Sequence, residues 1–306
     1  MSFTPASEPV SSTSANSGIA AVVDARPRDV GGFKVRRLLP SRARRLVGPF
    51  IFLDHMGPTK LVPGHGIDVP PHPHIGLATV TYLFDGELIH RDSLGSHQPI
   101  QPREINWMTA GRGLVHSERT SSEVRRNGSN MHGLQLWVAL PKADEEIEPA
   151  FHHYAAQALP ETQKEGSQIR VLIGRAYGVE SQVQTLSPVF LIDLLMQPEC
   201  ELPLPDLYQE RAAYVIDGAI SSGGERAEAG RMLVFAPGTT ALVRAESAAR
   251  LVLLGGAAMD GPRQIWWNFV SSSQERIEQA KRDWKERRFP KVPGDEVEFT
   301  PLPTYS

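Results

Sequence analysis

The chain has 306 residues, 32 of them Lys or Arg and 35 Asp or Glu, for a formal net charge of -3, and it contains one cysteine, Cys200. The charges are well mixed, which argues against direct nucleic-acid contact, and a lone cysteine excludes an intramolecular disulfide and fits a reducing compartment. No apolar run approaches the roughly 18 residues that span a bilayer, so a soluble cytoplasmic protein, or a nuclear one in a eukaryote, with core enough for two domains is expected.

Residues 1–21 are rich in Ser, Ala, Thr and Pro without a signal-peptide pattern, and are predicted to be a disordered tail. Beyond them the apolar positions come in short bursts broken by Pro27, Gly31, Gly32, Pro40, Gly48 and Pro49. That pattern predicts short strands. Arg36, Arg37, Arg42, Arg44 and Arg45 form a basic cluster, expected to be solvated surface. His55 and His65 have no paired spacing and are not expected to be ligands.

His72 and His74, then His116 and Glu118, form two pairs separated by one residue. Alternate residues of a strand face the same side, so each pair presents two donors together. A folded-back sheet that unites the pairs would hold a divalent first-row metal with positions open to water or substrate. Between the pairs, residues 75–84 read as a strand that is β-branched and aromatic over 79–84, Asp85 and Gly86 form a turn, and residues 88–91 return. If alternation continues from His74 through Gly76, then Ala78, Val80 and Tyr82 share the donors' face and line the interior beside the metal. His90 and Asp92 repeat the paired spacing, either as outer support for the site or as an exposed strand face. Gly111 and Gly113 permit a tight turn that aims the strand carrying His116 and Glu118.

A further strand runs over residues 134–140, and a charge run at 144–148 predicts a solvated turn. His152 and His153 are adjacent, hence on opposite faces of an extended chain, which is poor for joint ligation. The second half echoes the first: residues 82–86 reappear as 214–218, and 108–111 as 235–238. Carried across, these offsets set Leu204 and Asp206 opposite His72 and His74, and Val243 and Ala245 opposite His116 and Glu118. Residues 183–256 contain no histidine, so the second half is expected to be metal-free. Ser272 and Glu275 make a capping-box pattern, and Ile277, Ala280 and Trp284 at helical spacing predict a helix up to Arg288, packed on the rest by Trp266 and Trp267.

The runs 72–86, 90–92 and 107–118, flanked by 47–58 and 133–141, resemble the pirin family of the cupin superfamily. The resemblance covers nearly everything from Val30 to Phe289. It implies an all-β fold of two cupin-type β-barrels with a C-terminal helix, an N-terminal metal-binding domain over 22–150 and a metal-free C-terminal domain over 151–306. His72, His74, His116 and Glu118 fall on the family's four metal ligands. Such proteins often carry Glu ahead of the Thr79-Val80 pair where this chain has Ala78, a residue that is a ligand in other cupins. The resemblance also places residues 49–58 near the pocket.

The family is associated with oxidative ring cleavage of flavonols such as quercetin, which implies a metal-dependent dioxygenase with a small-molecule substrate and Glu118 as ligand or proton-accepting base. Mixed imidazole and carboxylate ligation points to iron, with nickel, manganese, copper and zinc as alternatives. The same ligand set would serve a metal-sensing or redox-sensing regulator of a protein partner, or a cupin enzyme acting on another small metabolite.

Overall fold

Two long strands, Phe50–Leu61 and Ser129–Ala139, form the centre of the first half. Around them a seven-stranded antiparallel sheet runs in the order Ala150–Tyr154, Ile105–Thr109, Leu77–Asp85, Ser129–Ala139, Phe50–Leu61, Phe33–Leu39, Arg26–Val30. A four-stranded sheet, Asp68–His74, Leu114–Arg119, Leu88–Asp92 and His97–Ile100, accompanies it. The second half repeats this plan with seven strands and then four, the small sheet being Glu201–Pro203, Leu242–Ala245, Ala219–Ser222 and Glu225–Glu228. The computed structural model describes residues 18–304 apart from Gly31, so the tail predicted over 1–21 lies outside the described residues as far as residue 17.

The expectation of two closed β-barrels is corrected by this topology. Closure requires an unbroken hydrogen-bond ladder around the wall, and here each ladder ends at edge strands. At one such edge the backbone pairing shrinks to an isolated bridge between Leu83 of the large sheet and Pro102, just beyond the small sheet's strand His97–Ile100. Each half is therefore a pair of open sheets held by side-chain packing. In the second half, Val171, Ile192 and Leu253 of the large sheet share one apolar cluster with Leu202, Ile220 and Val243 of the small one.

The halves are also interlaced. Ile19–Asp24 alternates buried and half-buried residues and pairs antiparallel with Arg231–Phe235 at the edge of the second half's large sheet. Ile19, Ala20 and Ala21 thus belong to a strand and not to a tail. At the other boundary, Ala150–Tyr154 closes the first half's sheet by pairing with Ile105–Thr109, so a division at residue 150 falls on a strand. The two large sheets meet in a common core that joins Val80, Tyr82, Leu134 and Leu136 to Leu191, Tyr214 and Val252. Buried polar groups there are paired, as burial demands: Tyr82 donates to Asp193 Oδ2 at 2.7 Å, and His55 Nδ1 lies 2.6 Å from the Tyr214 hydroxyl.

Ala78, Val80 and Tyr82 consequently face this shared core and not the metal ligands. The alternation breaks at Gly76, which takes a φ of +67° and whose missing Cβ would sit 2.0 Å from the Val270 carbonyl oxygen. At this glycine the chain leaves the small sheet for the large one, and the faces exchange. The basic cluster is likewise less solvated than expected, because Arg36 donates to the Gly57 carbonyl, Arg37 grips Asp54 and Arg44 pairs with Glu210. Near the end, the helix Gln274–Lys285 starts at Ser273, whose side chain accepts from Arg276 N. Its buried Ile277 and Ala280 pack with Ile75, Phe269, Trp266 and Trp267. No helix of the described residues is long and apolar enough to cross a membrane.

Candidate metal centre

The register of the small sheet brings the two sequence pairs together. Asp68–His74 pairs antiparallel with Leu114–Arg119, placing His72 opposite His116. Gly76 follows one strand and Gly111 precedes the other, and Gly76 N donates to the Gly111 carbonyl at 2.8 Å. Gly111 has a φ of +50° and a Cβ there would meet the Ile147 carbonyl oxygen at 2.0 Å, so only glycine suits this anchor.

Each of His72, His74 and His116 is buried and offers a nitrogen, and these three atoms lie within 4.8 Å of one another. His74 Nε2 and His116 Nε2 are 3.1 Å apart. That is about the edge between adjacent nitrogens on an ion with bonds of about 2.1 Å. Desolvation lowers all three pKa values, His72 to about 4 and the other two well below the ordinary 6.5. The imidazoles are therefore neutral near pH 7, as ligation requires.

Hydrogen bonds on the far side of the rings settle which nitrogen keeps its lone pair. His72 Nδ1 donates to the Pro70 carbonyl at 2.9 Å, which leaves Nε2 as the donor atom for an ion. Asp92 Oδ2 accepts from His90 Nε2 at 2.9 Å, so His90 Nδ1 is the acceptor for His116 Nδ1, 3.4 Å away. The His116 proton is thereby held on Nδ1, and Nε2 is free. His90 is fixed further by stacking on Phe151, with centroids 4.2 Å apart. His90 and Asp92 are both buried, so their paired spacing is outer support and not an exposed face. His74 Nδ1 is buried without a hydrogen-bond partner, although the Asn268 backbone pulls its pKa upward. A proton moved there would leave lone pairs on all three rings, and the donor set fits a divalent ion.

Glu118 stands on the same strand as His116 but outside the close group of three nitrogens. It keeps some surface on the cavity, yet desolvation by the surrounding protein pushes its carboxyl up to about 7, against a weaker downward pull from the Thr81 hydroxyl at 3.5 Å. Thr81 donates more closely to Gln135 Oε1, at 3.0 Å.

These residues open onto a cavity of about 480 Å³ whose walls include Phe52, Met56, Trp137 and Trp267. Phe52 stacks on Trp137 with centroids 4.1 Å apart, and Trp137 meets the His74 ring edge-on. The placing of residues 49–58 near the pocket holds for Phe52, Asp54 and Met56. Burial raises the Asp54 pKa, while the Arg37 guanidinium opposes it with contacts of 2.8 and 2.7 Å. Ala78 lies in the core between the halves, so a carboxylate there would not face these donors. His55 joins His132, Tyr214 and Arg36 in the buried interface, and His153 bonds Asn106. Gln135 and Trp137 were not singled out from sequence. Their signal is alternation in Ser129–Ala139, where Leu134, Leu136 and Val138 enter the shared core and Gln135 and Trp137 turn to the cavity.

In the second half, Leu202 pairs with Val243 as His72 pairs with His116, and Leu204 N donates to the Ala241 carbonyl. The counterparts of His72 and His74 are therefore Leu202 and Leu204, a shift of two from the offset that named Leu204 and Asp206. With Val243 and Ala245 they fill an apolar cluster and offer no donor side chain.

The family model for Pirin matches residues 32–138, and that for the Pirin C-terminal cupin domain matches residues 191–290. This chain belongs to the pirin family. A pirin-like protein of Caulobacter vibrioides is 49% identical over 93% of this chain and 99% of its own. A Pseudomonas aeruginosa protein provisionally named a quercetin 2,3-dioxygenase is 37% identical over 92% of this chain and 90% of its own. A crystal structure of quercetin 2,3-dioxygenase from Acinetobacter baumannii superposes with a TM-score of 0.86 at 33% identity, covering 93% of this chain and 95% of that one.

Proposed function

We propose that this pirin is a metal-dependent dioxygenase that opens the ring of flavonols such as quercetin, with His72, His74, His116 and Glu118 as metal ligands and Glu118 also as base. The observation that carries the reading is the convergence of three neutral imidazoles on the wall of an aromatic-lined cavity. Likeness to relatives that bear the quercetin 2,3-dioxygenase name supports it. A cavity of about 480 Å³ lies within the usual range for small-molecule sites.

A bound divalent metal would supply a Lewis acid for an enol oxygen and a site for dioxygen. Around it, the faces of Phe52 and Trp137 and the thioether of Met56 hold a flat apolar body and exclude water. Burial pushes the Glu118 carboxyl up to about 7 while no metal is bound to it, so when released from the ion it has the affinity for a proton that a general base needs near neutral pH, and can take it from a substrate hydroxyl. The Thr81 hydroxyl, shared with Gln135, steadies that carboxylate. His90 and Asp92 hold the His116 ring in the tautomer that ligates. Iron is our reading of the mixed imidazole and carboxylate set, ahead of nickel, manganese, copper and zinc. In this scheme the first half holds the metal and the second half is metal-free.

The test is aerobic loss of flavonol absorbance with protein reconstituted separately with each metal. Turnover with one metal, abolished by Glu118→Gln, is expected. Stoichiometric metal binding with no turnover by any of them would remove the flavonol reading.

A further inference from the structure

The second half contains a buried cation that touches no carboxylate among the described residues. Among the described residues three arginines are buried: Arg170, Arg211 and Arg263. Arg170 pairs with Glu161, and Arg263 with Glu145 and Asp260. Arg211 is 3% exposed and forms no ion pair among the described residues. Its Nη2 donates to the Thr239 carbonyl at 2.5 Å, and its Nε is buried with no partner. Burying a charge or an unmet donor is costly. Desolvation lowers its pKa, and Asp206 is the acid that acts on it through space.

Arg211 lies on Glu210–Asp217 on the same face as Ala213 and Val215, the face that lines the second half's interior. It opens on a cavity of about 610 Å³. Leu204, Pro205 and Ala241 give this cavity an apolar surface, and Tyr177 and Tyr208 add their rings. Both phenol hydroxyls are committed elsewhere, Tyr177 donating to the Pro203 carbonyl and Tyr208 to that of Arg175. Leu204 is the counterpart of His74, so the cavity borders the region that in the first half holds the histidines.

We propose that this cavity is a binding site for a small organic monocarboxylate with an apolar or aromatic body, whose carboxylate pairs with Arg211. The planar guanidinium suits a carboxylate, and the apolar walls suit the remainder of the ligand. With Lys164 and Asp206 also on the walls, the three side chains sum to a single positive charge, which matches one negative charge better than two. The site is independent of the metal centre and of the reaction assigned to it.

Calorimetric titration of the full chain with benzoate, 3-phenylpropionate and hexanoate, and with neutral benzamide as control, tests this. Saturable binding of at least one carboxylate is expected, with no heat from benzamide. Arg211→Met should weaken binding by about tenfold or more, by loss of the charged hydrogen bonds. Asp206→Asn, at an exposed position, should tighten it by about two- to fivefold, because a like charge is removed. His74→Ala should leave it unchanged, which separates this cavity from carboxylate bound at the metal. Absence of saturable binding for all three acids, equal binding of benzamide, loss in His74→Ala, or indifference to either charge change would overturn the proposal. If Arg211→Met does not fold, the amide control and Asp206→Asn still decide.

Discussion

The two halves share one plan of seven strands and four, yet they are equipped for different chemistry. Where the first half has His72 and His116 opposite one another, the second has Leu202 and Val243 in the same register. The apolar positions hold the sheets together in both, whereas the donor positions can change without altering the ladder. Packing between sheets sets the architecture, and a few inward-facing side chains set the function. The first half spends its interior on three neutral imidazoles, and the second on leucine, valine and one buried arginine.

The largest break in this comparison is expected from removing a ligand. His74→Ala should lose nearly all bound metal, while His153→Ala, at a histidine bonded to Asn106, should keep it; elemental analysis of the purified proteins reads the difference. Equal loss in both would show that the three-histidine group is not the site. Next comes Asp92→Asn. The new amide keeps an oxygen for the Leu94 and Ser96 amides, but it can turn an N–H against His90 Nε2 and release the tautomer chain. Metal affinity should fall by about 10- to 100-fold, as measured by competition with a chelator.

A third test uses pH to sharpen the role of Glu118. Its pKa of about 7 is raised above the ordinary 4.5, so in the metal-free protein the carboxyl is protonated below that value and must lose its proton to ligate. If it ligates, metal affinity should decline by up to about tenfold per unit as pH falls below 7. Glu118→Gln should flatten that slope until His72 takes a proton near pH 4. An unchanged slope in the variant would remove Glu118 from the ligand set. For folding, the signs differ. The raised Glu118 contributes stability lost as pH rises from 4.5 through 7, whereas buried His55, lowered to about 2, contributes stability lost as pH falls below 6.5. The smallest effect is expected from Tyr82→Phe, which removes one hydrogen bond between the halves but leaves Arg250 on Asp193. It should cost about 1 kcal/mol, seen as a lowered thermal midpoint with metal content unchanged.

The grouping of His72, His74 and His116 was legible in the sequence because the spacing that puts two side chains on one strand face survives in any sheet, while Glu118, expected with them, stands outside that group. The terminal helix was legible for a similar reason, its apolar stripe being local, although its cap is Ser273 and not the expected Ser272, and it ends at Lys285 and not at Arg288. What depended on distant packing was not. Two closed barrels were expected, and the sheets stay open because no local pattern reveals whether an edge finds a partner. The alternation through Ala78, Val80 and Tyr82 failed at Gly76, where a side chain is excluded by the Val270 carbonyl, nearly two hundred residues away in sequence. Ile19, Ala20 and Ala21 looked like the end of a polar tail because the partner of their strand, Arg231–Phe235, lies in the other half. Gln135 and Trp137 escaped notice because their strand is covered on both faces, which hides the usual contrast between inside and outside.

The central claim is that metal chemistry belongs to the first half alone. Anomalous diffraction from crystals of metal-reconstituted protein, collected at the absorption edge of the bound metal, tests it most directly. The account predicts one strong peak among His72, His74 and His116 and none among Leu202, Leu204 and Val243. A peak in the second half, or stoichiometric metal with no peak at the three histidines, would contradict it.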